Sequence, residues 1–240
     1  MDGSQAFIAL LIVTGLSMVA YSMRVLDARG ALAAWALGII VALSGSILWL
    51  IPMAVFTGSS YVATRYGRAQ KQLIAPEDSE RSVQNVFANG LAPAVAALAA
   101  WFVDMDVAAL AYISALAATT ADTWASEIGM LSQKARRVLP PFEVGNRGEN
   151  GMVSALGQTA ALAGALLVSV AGFWSLALPW QLIAVPLVAG FMGSQIDSVL
   201  GLLFERSATR PGVLGNSSVN LISSLLPTVT VLVVATMVWT

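Results

Sequence analysis

Long apolar stretches, each broken by a short polar or charged segment, recur along the whole chain. A transmembrane helix needs about 20 mainly apolar residues at a rise of ~1.5 Å each. On that scale the pattern predicts spans at 6–23, 32–46, 48–64, 83–103, 107–131, 152–174, 182–204 and 217–239. The stretch 31–64 would measure roughly 51 Å as one helix. That length suits two short spans, turning near Ser44-Gly45-Ser46 or Pro52, better than one long tilted span. The first span has no positively charged segment ahead of it and no small-residue cleavage site behind it, so it is not read as a signal peptide. The expected fold class is an all-α polytopic membrane protein of seven or eight transmembrane helices, with residues 1–240 forming one integral-membrane helical domain.

The intervening segments divide sharply by charge. Arg24 and Arg29 lie in the first, Arg65, Arg68, Lys71 and Arg81 in the third, Lys134, Arg136, Arg137 and Arg147 in the fifth, and Arg206 and Arg210 in the seventh. These hold all 12 Lys and Arg, while the turns near 44–52, 104–106 and 178–180 and both termini hold none. The alternation of loaded and empty loops requires 31–64 to cross twice. Basic loops stay in the cytoplasm, which puts both termini outside. For Arg24, Arg29, Arg206 and Arg210 orientation alone is a sufficient role. Loops 65–82 and 132–151 differ: they are long, carry both signs and contain Pro and Gly, as functional loops do.

Polar residues inside the spans crowd toward the same end. The fifth span carries Asp122 and Glu127, and the seventh Asp197 and Glu205. Asn85 and Asn89 stand in the fourth, Ser154 and Gln158 in the sixth, and Asn216 and Asn220 open the eighth. Each Asn pair is spaced i, i+4 and shares a helix face. Ser154, Gln158, Thr119 and Thr120 also suit plain interhelical hydrogen bonding. A buried carboxylate without a cation is expensive, so Asp122, Asp197 and Glu127 point instead to a divalent ion, with Mg²⁺ completing its shell from water and substrate phosphate. Asp122 and Glu127 sit roughly 140° apart around a helix. Asp122 is therefore expected to pair with Asp197 across the bundle, with Ser126 on its own face, and Glu127 to serve a second ion or a substrate hydroxyl. A weak echo between 149–154 and 214–219 suggests an internal repeat of helix pairs.

Composition narrows the chemistry. The chain is 58% apolar and only 10% charged, against about 25% charged in an ordinary soluble domain. It has no His and no Cys, which removes zinc cages, thiol nucleophiles and histidine bases. A net charge of −1 leaves no nucleic-acid footprint. Carboxylates beside Lys and Arg at a membrane boundary suggest chemistry on phosphates, which needs Mg²⁺, cations and positioning rather than a covalent residue. No Gly-x-x-x-x-Gly-Lys loop is present. Backbone amides of 145–151, including Gly148 and Gly151, are placed to cradle phosphate where they lead into the sixth helix, and 212–216 could do the same for the eighth.

Six motifs appear in order: Ala63-Thr64-Arg65-Tyr66-Gly67, Ser82-Val83-Gln84-Asn85-Val86-Phe87-Ala88-Asn89-Gly90, Ala121-Asp122-Thr123-Trp124-Ala125-Ser126-Glu127-Ile128-Gly129, Gly148-Glu149-Asn150-Gly151-Met152-Val153-Ser154, Gly193-Ser194-Gln195-Ile196-Asp197-Ser198 and Asn216-Ser217-Ser218-Val219-Asn220. Together they resemble an integral-membrane family long known as a domain of unknown function and as transmembrane-protein-19-like. Its plant and cyanobacterial members are phytyl-phosphate kinases of tocopherol and phylloquinone synthesis. The resemblance implies transfer of a phosphoryl group from a nucleoside triphosphate, CTP in the plant-type reaction, to a prenyl monophosphate such as phytyl phosphate. It further implies Asp122, Asp197 and Glu127 on Mg²⁺, and Arg65, Lys71 and Arg147 clamping phosphates. Asn85, Asn89, Asn216 and Asn220, with Ser126 and Ser154, would orient them, and the active site would lie on the cytoplasmic side of the bilayer. The competing expectations are a transporter or flippase for a lipid phosphate or small anion, and a CTP-dependent lipid cytidylyltransferase.

Overall fold

The computed structural model describes residues 3–74, 83–206 and 212–239. Its helices are α1 (Gly3–Ser22), α2 (Ala28–Ser44), α3 (Leu50–Arg65, entered through a 3₁₀ turn at Ile47–Trp49), α4 (Arg68–Gln72), α5 (Val83–Leu98), α6 (Met105–Gly129), α7 (Ala155–Leu176), α8 (Ala184–Phe204) and α9 (Asn216–Trp239). Six of these, with α3 and α5 extended by their 3₁₀ turns, are long and apolar enough to cross a membrane. The shorter α2, at 17 residues, spans ~25 Å. The eighth long helix is α6. The chain is an all-α polytopic membrane protein, and 31–64 does form two helices. Arg81 of the third basic loop and Arg210 of the seventh lie outside the described residues.

Helix α6 is the axis of the bundle. Every residue from Val107 to Ala121 is buried, and α3, α5, α7, α8 and α9 all pack on it. Its Ala-rich face permits close approach, the usual basis of helix packing in lipid. On α8, a Cβ added at Gly193 would sit 2.6 Å from that of Ala118. Because its neighbours shield it, α6 carries Asp122 and Glu127 inside the bundle rather than against lipid. At the margin, α1 buries only Ala9 and Val13 and leans on α2, where the Trp35 indole donates to Thr14 Oγ1 at 3.0 Å. Phe7, Leu11, Leu166, Val234 and other large apolar side chains face outward. Only a lipid surround suits such a belt.

Although consecutive, α2 and α3 do not form a packed hairpin. The former lies on α1 and α5, the latter on α6 and α7. They diverge from the turn at Gly45-Ser46, where Ser46 Oγ accepts from the Leu48 amide.

The two long charged loops hold more order than a plain connector. Helix α4 lies in the first of them. The second carries a small antiparallel sheet, β1 (Ala135–Arg137), β2 (Val144–Gly145) and β3 (Met152–Val153), in the order β2-β1-β3. The span expected from residue 152 therefore starts later: 152 and 153 are strand, and Ser154 caps α7, its Oγ accepting from the Gly157 amide at 3.1 Å. The entry to α9 is also strand-like, through a parallel bridge of Glu205 with Leu214. The two segments of the suggested repeat thus share a strand-to-helix entry but pair with different partners.

Candidate functional site at the charged end of the bundle

At the end of the bundle where the basic segments lie, one open cavity of about 740 Å³ penetrates between the helices. Every candidate residue named from the sequence lines it: Asp122, Asp197, Glu127, Lys71, Arg65, Arg147, Asn85, Asn89, Ser126, Gly148, Gly151, Ser154, Asn216 and Asn220. Arg24 and Arg68, given no site role from the sequence, line it too. The sequence alone supports a shared depth; packing turns that depth into one wall.

Asp122 on α6 and Asp197 on α8 meet at hydrogen-bond distance. Each stands seven residues from the end of its helix, ~10 Å deep. Asp197 Oδ2 also accepts from Ser223 Oγ at 2.9 Å. With its amide turned to satisfy its neighbours, Asn220 donates to the same oxygen and to the Asn216 carbonyl, each at 3.1 Å. Adjoining carboxylates repel unless a proton or a cation is shared between them. Glu205, just past the end of α8, adds a third negative group. Burial and the nearby charge of Asp197 push its carboxyl up to about 7, against a hydrogen bond with Asn150 that lowers it. Three carboxyls thus share one wall of a cavity that Arg24, Arg65, Arg68 and Arg147 also line. Among the described residues no group of three His, Cys, Asp or Glu is placed to hold a metal ion; the carboxylates that could share one are the aspartate pair.

Glu127 and Lys71 have other engagements. Lys71 is buried and its ammonium reaches Glu127 Oε2 at 2.6 Å. Its remaining protons go to the carbonyls of Ala63 at 2.9 Å and Thr64 at 2.7 Å, and the Thr64 hydroxyl donates to Glu127 Oε1 at 2.9 Å. An ammonium has three donors, all now used, and both carboxylate oxygens are taken. Both residues line the cavity, and in this structure the pair clasps α4 and the end of α3 to α6. The five-residue spacing explains the split, since it turns Glu127 away from Asp122. Trp124, between them, faces α7, where a Cβ at Gly164 would meet its ring at 3.0 Å.

Other candidates also have internal partners. Ser154 caps α7 and donates to the Gly129 carbonyl at 3.3 Å, which gives it a structural role in this structure. Ser154→Ala is expected to cost about 1 kcal/mol, read as a lower midpoint in thermal unfolding. Residues 145–151 do not lead directly into a helix N-terminus, because β3 intervenes and that terminus is already capped. Gly148 and Gly151 instead take left-handed turns at φ +81° and +76°. Gly151 also lies so close to α8 that a Cβ there would sit 2.4 Å from that of Leu202. Ser126 Oγ donates to the Asp122 and Thr123 carbonyls at 3.0 and 3.1 Å on the exposed wall. The Asn89 amide donates to the Asn85 carbonyl at 2.8 Å. Of the residues suited to interhelical bonding, Gln158 accepts from Gln195 of α8 at 2.8 Å. Thr119 and Thr120 chiefly donate to carbonyls of their own helix.

Arg65 stands 5.1 Å over the Tyr61 ring at the mouth. Glu205 is placed at this end by the sequence, whereas the contributions of Ser223 and Asn150 are not evident from spacing. Ser223 lies in an apolar helix among other serines, and only the approach of α9 to α8 brings it to Asp197.

The family model for Integral membrane protein DUF92 matches residues 11–228. An uncharacterized membrane protein of Methanocaldococcus jannaschii is 32% identical, over 92% of this chain and 90% of its own. Protein PGR of Arabidopsis thaliana is 34% identical over 44% of this chain, and the match spans about half of that protein, 47%. No solved structure matches. The chain belongs to the integral membrane protein DUF92 family.

Proposed function

We propose that this protein is a membrane-embedded kinase that transfers the terminal phosphoryl group of a nucleoside triphosphate, CTP by the resemblance, to a prenyl monophosphate of the phytyl phosphate type. The observation that carries this reading is the composition of the cavity: an aspartate pair, arginines at the mouth and an apolar extension share one space. Such a space suits an acceptor whose head is anionic and whose tail is hydrocarbon.

The residues present fit Mg²⁺. The adjoining carboxylates offer hard oxygen donors, positioned by hydrogen bonds from Ser223 and Asn220 to Asp197, and Mg²⁺ commonly takes one or two carboxylates plus substrate phosphate. Asp122 and Asp197 would hold it, and when bound it neutralises the charge on the triphosphate. Arg65, Arg68 and Arg147 would bind and orient the phosphates through charge-assisted hydrogen bonds. In the transfer an oxygen of the acceptor phosphate forms a bond to the γ-phosphorus. The bond from that phosphorus to the β–γ bridging oxygen breaks, and the nucleoside diphosphate leaves with the electron pair. The acceptor is already anionic, so no side chain has to remove a proton. The cytoplasm, as the source of nucleotide, would lie at the charged end, as the basic loops imply.

A transporter site lies near mid-span on broken helices. Here α6 and α8 run unbroken through Asp122 and Asp197, and both aspartates sit toward one end. The test is product analysis on the purified protein with Mg²⁺, CTP and phytyl phosphate. The expected products are CDP and the prenyl diphosphate. Pyrophosphate with a CDP-lipid would assign the cytidylyltransferase reaction instead, and no nucleotide consumption would overturn an enzymatic reading.

A further inference from the structure

The cavity has an arm that the phosphate chemistry does not use. From the carboxylates it continues between α2, α3 and α5, past Ala34, Leu37, Met53, Phe56 and Val86. The arm exists because α2 and α3 diverge after Gly45-Ser46, each packing on different neighbours. Its walls ask for no polar partner: the hydroxyl of Thr57, at its edge, already donates to the Met53 carbonyl at 2.9 Å. Met53 lies 12 residues from the end of α3, so the arm reaches ~18 Å from the charged end. The aspartates reach only ~10 Å. Half of a bilayer core is about 15 Å, so the arm extends past the charged groups to the middle of the membrane. Thr57 is exposed and Ala34 partly so, and both line the cavity on its α2–α3 side.

We infer that this arm is the binding slot for one hydrocarbon chain of a lipid monophosphate, entered sideways between α2 and α3, and that Ala34, Met53 and Phe56 set which chain length it accepts. This rests on the proposed function for the identity of the head group, but the slot makes a separate claim about the tail. Depth and polarity orient the occupant. The anionic head meets Arg65, which stands over Tyr61 where the polar and apolar parts join, and the chain runs along α2 and α3 away from the carboxylates. Phe56 is buried and would be a principal contact along the chain. A larger side chain at Ala34 would narrow the slot, and a smaller one at Phe56 would widen it.

The test is binding, measured by native mass spectrometry on the full-length protein in detergent with geranyl, farnesyl and phytyl phosphate, and inorganic phosphate as the tail-free control. In the wild type, affinity is expected to rise with chain length. In Ala34→Phe, phytyl phosphate should bind about tenfold more weakly, a loss equivalent to one or two methylenes of burial, while inorganic phosphate binding is retained. Phe56→Ala should shift the preference along the prenyl series. Because Ala34→Phe could disturb α2, Met53→Ala, which opens the slot instead, is expected to move the chain-length preference as well. Affinities independent of chain length, or unchanged by Ala34→Phe in a protein with a wild-type unfolding midpoint, would overturn the slot. The two readings fail separately. Chain-dependent binding without CDP formation would sink the kinase and leave the slot. CDP formation with a chain preference indifferent to Ala34, Met53 and Phe56 would sink the slot and leave the kinase.

Discussion

Lys71→Met is expected to destabilise the protein by about 3–5 kcal/mol, the usual result of removing one partner of a buried ion pair. Thermal unfolding in detergent should show a midpoint lower by roughly 10 °C. The physical cause is Glu127, whose carboxylate is largely buried and keeps only the Thr64 hydroxyl once the ammonium is gone. The carbonyls of Ala63 and Thr64 lose a donor as well. The double variant Lys71→Met/Glu127→Leu should recover much of the loss, since an apolar pair of similar volume carries no stranded charge. This separates a clasp from a phosphate ligand. A ligand lysine would lose turnover with little change in midpoint, and the double variant would restore nothing. Because the clasp ties α4 to the end of α3, its loss would also displace Arg65 and Arg68, so weaker substrate binding is expected to accompany the lower midpoint.

Asp122→Asn and Asp197→Asn are expected to act in the opposite way. Each replaces one of two touching carboxyls by a neutral isostere, so the unfolding midpoint should stay level or rise. Turnover in the proposed reaction should fall by about 10²–10³, the scale seen when one preorganised electrostatic group is removed from a transition state. A second readout does not depend on turnover. Any ligand that binds the folded state raises the midpoint by mass action, so Mg²⁺ should stabilise the wild type and lose that effect in either variant. A Mg²⁺ shift that survives both substitutions would remove the metal from this pair. Glu205→Gln serves as the comparison, because Glu205 bonds to Asn150 and adds charge beside the aspartate pair.

Some of the site was legible before folding because membrane insertion is a one-dimensional constraint. Charged groups cannot be scattered through apolar spans, so their positions along the chain report depth directly. Asp122, Asp197, the Asn pairs and the basic loops could therefore be assigned to one end. Rotation about each helix is less well determined, and it decided Glu127. Five residues from Asp122, it lies on another face, and its partner Lys71 comes from α4, a helix of five residues inside a segment that reads as a loop. Lys71 and Glu127 are 56 positions apart, and no local pattern links them. The small sheet was invisible for a similar reason. Its strands are two or three residues long, too short to show a period of two, and it shifts Ser154 from an interior helix position to the cap.

The sequence by itself determined that the chain spans a membrane as a helical bundle and that its charge gathers at one end, since hydropathy and charge scarcity act residue by residue through the cost of burial in hydrocarbon. Helix-face spacing also pointed Asp122 toward Asp197; the tertiary structure decided how the two approach and what Glu127 meets. Asp122 joins Asp197 because the small-residue faces of α6 and α8 let the helices approach closely. Glu127 is withdrawn into a clasp because α4 folds back on the end of α3. The apolar arm opens because α2 and α3 choose different neighbours. Each of these depends on packing between segments distant in the chain.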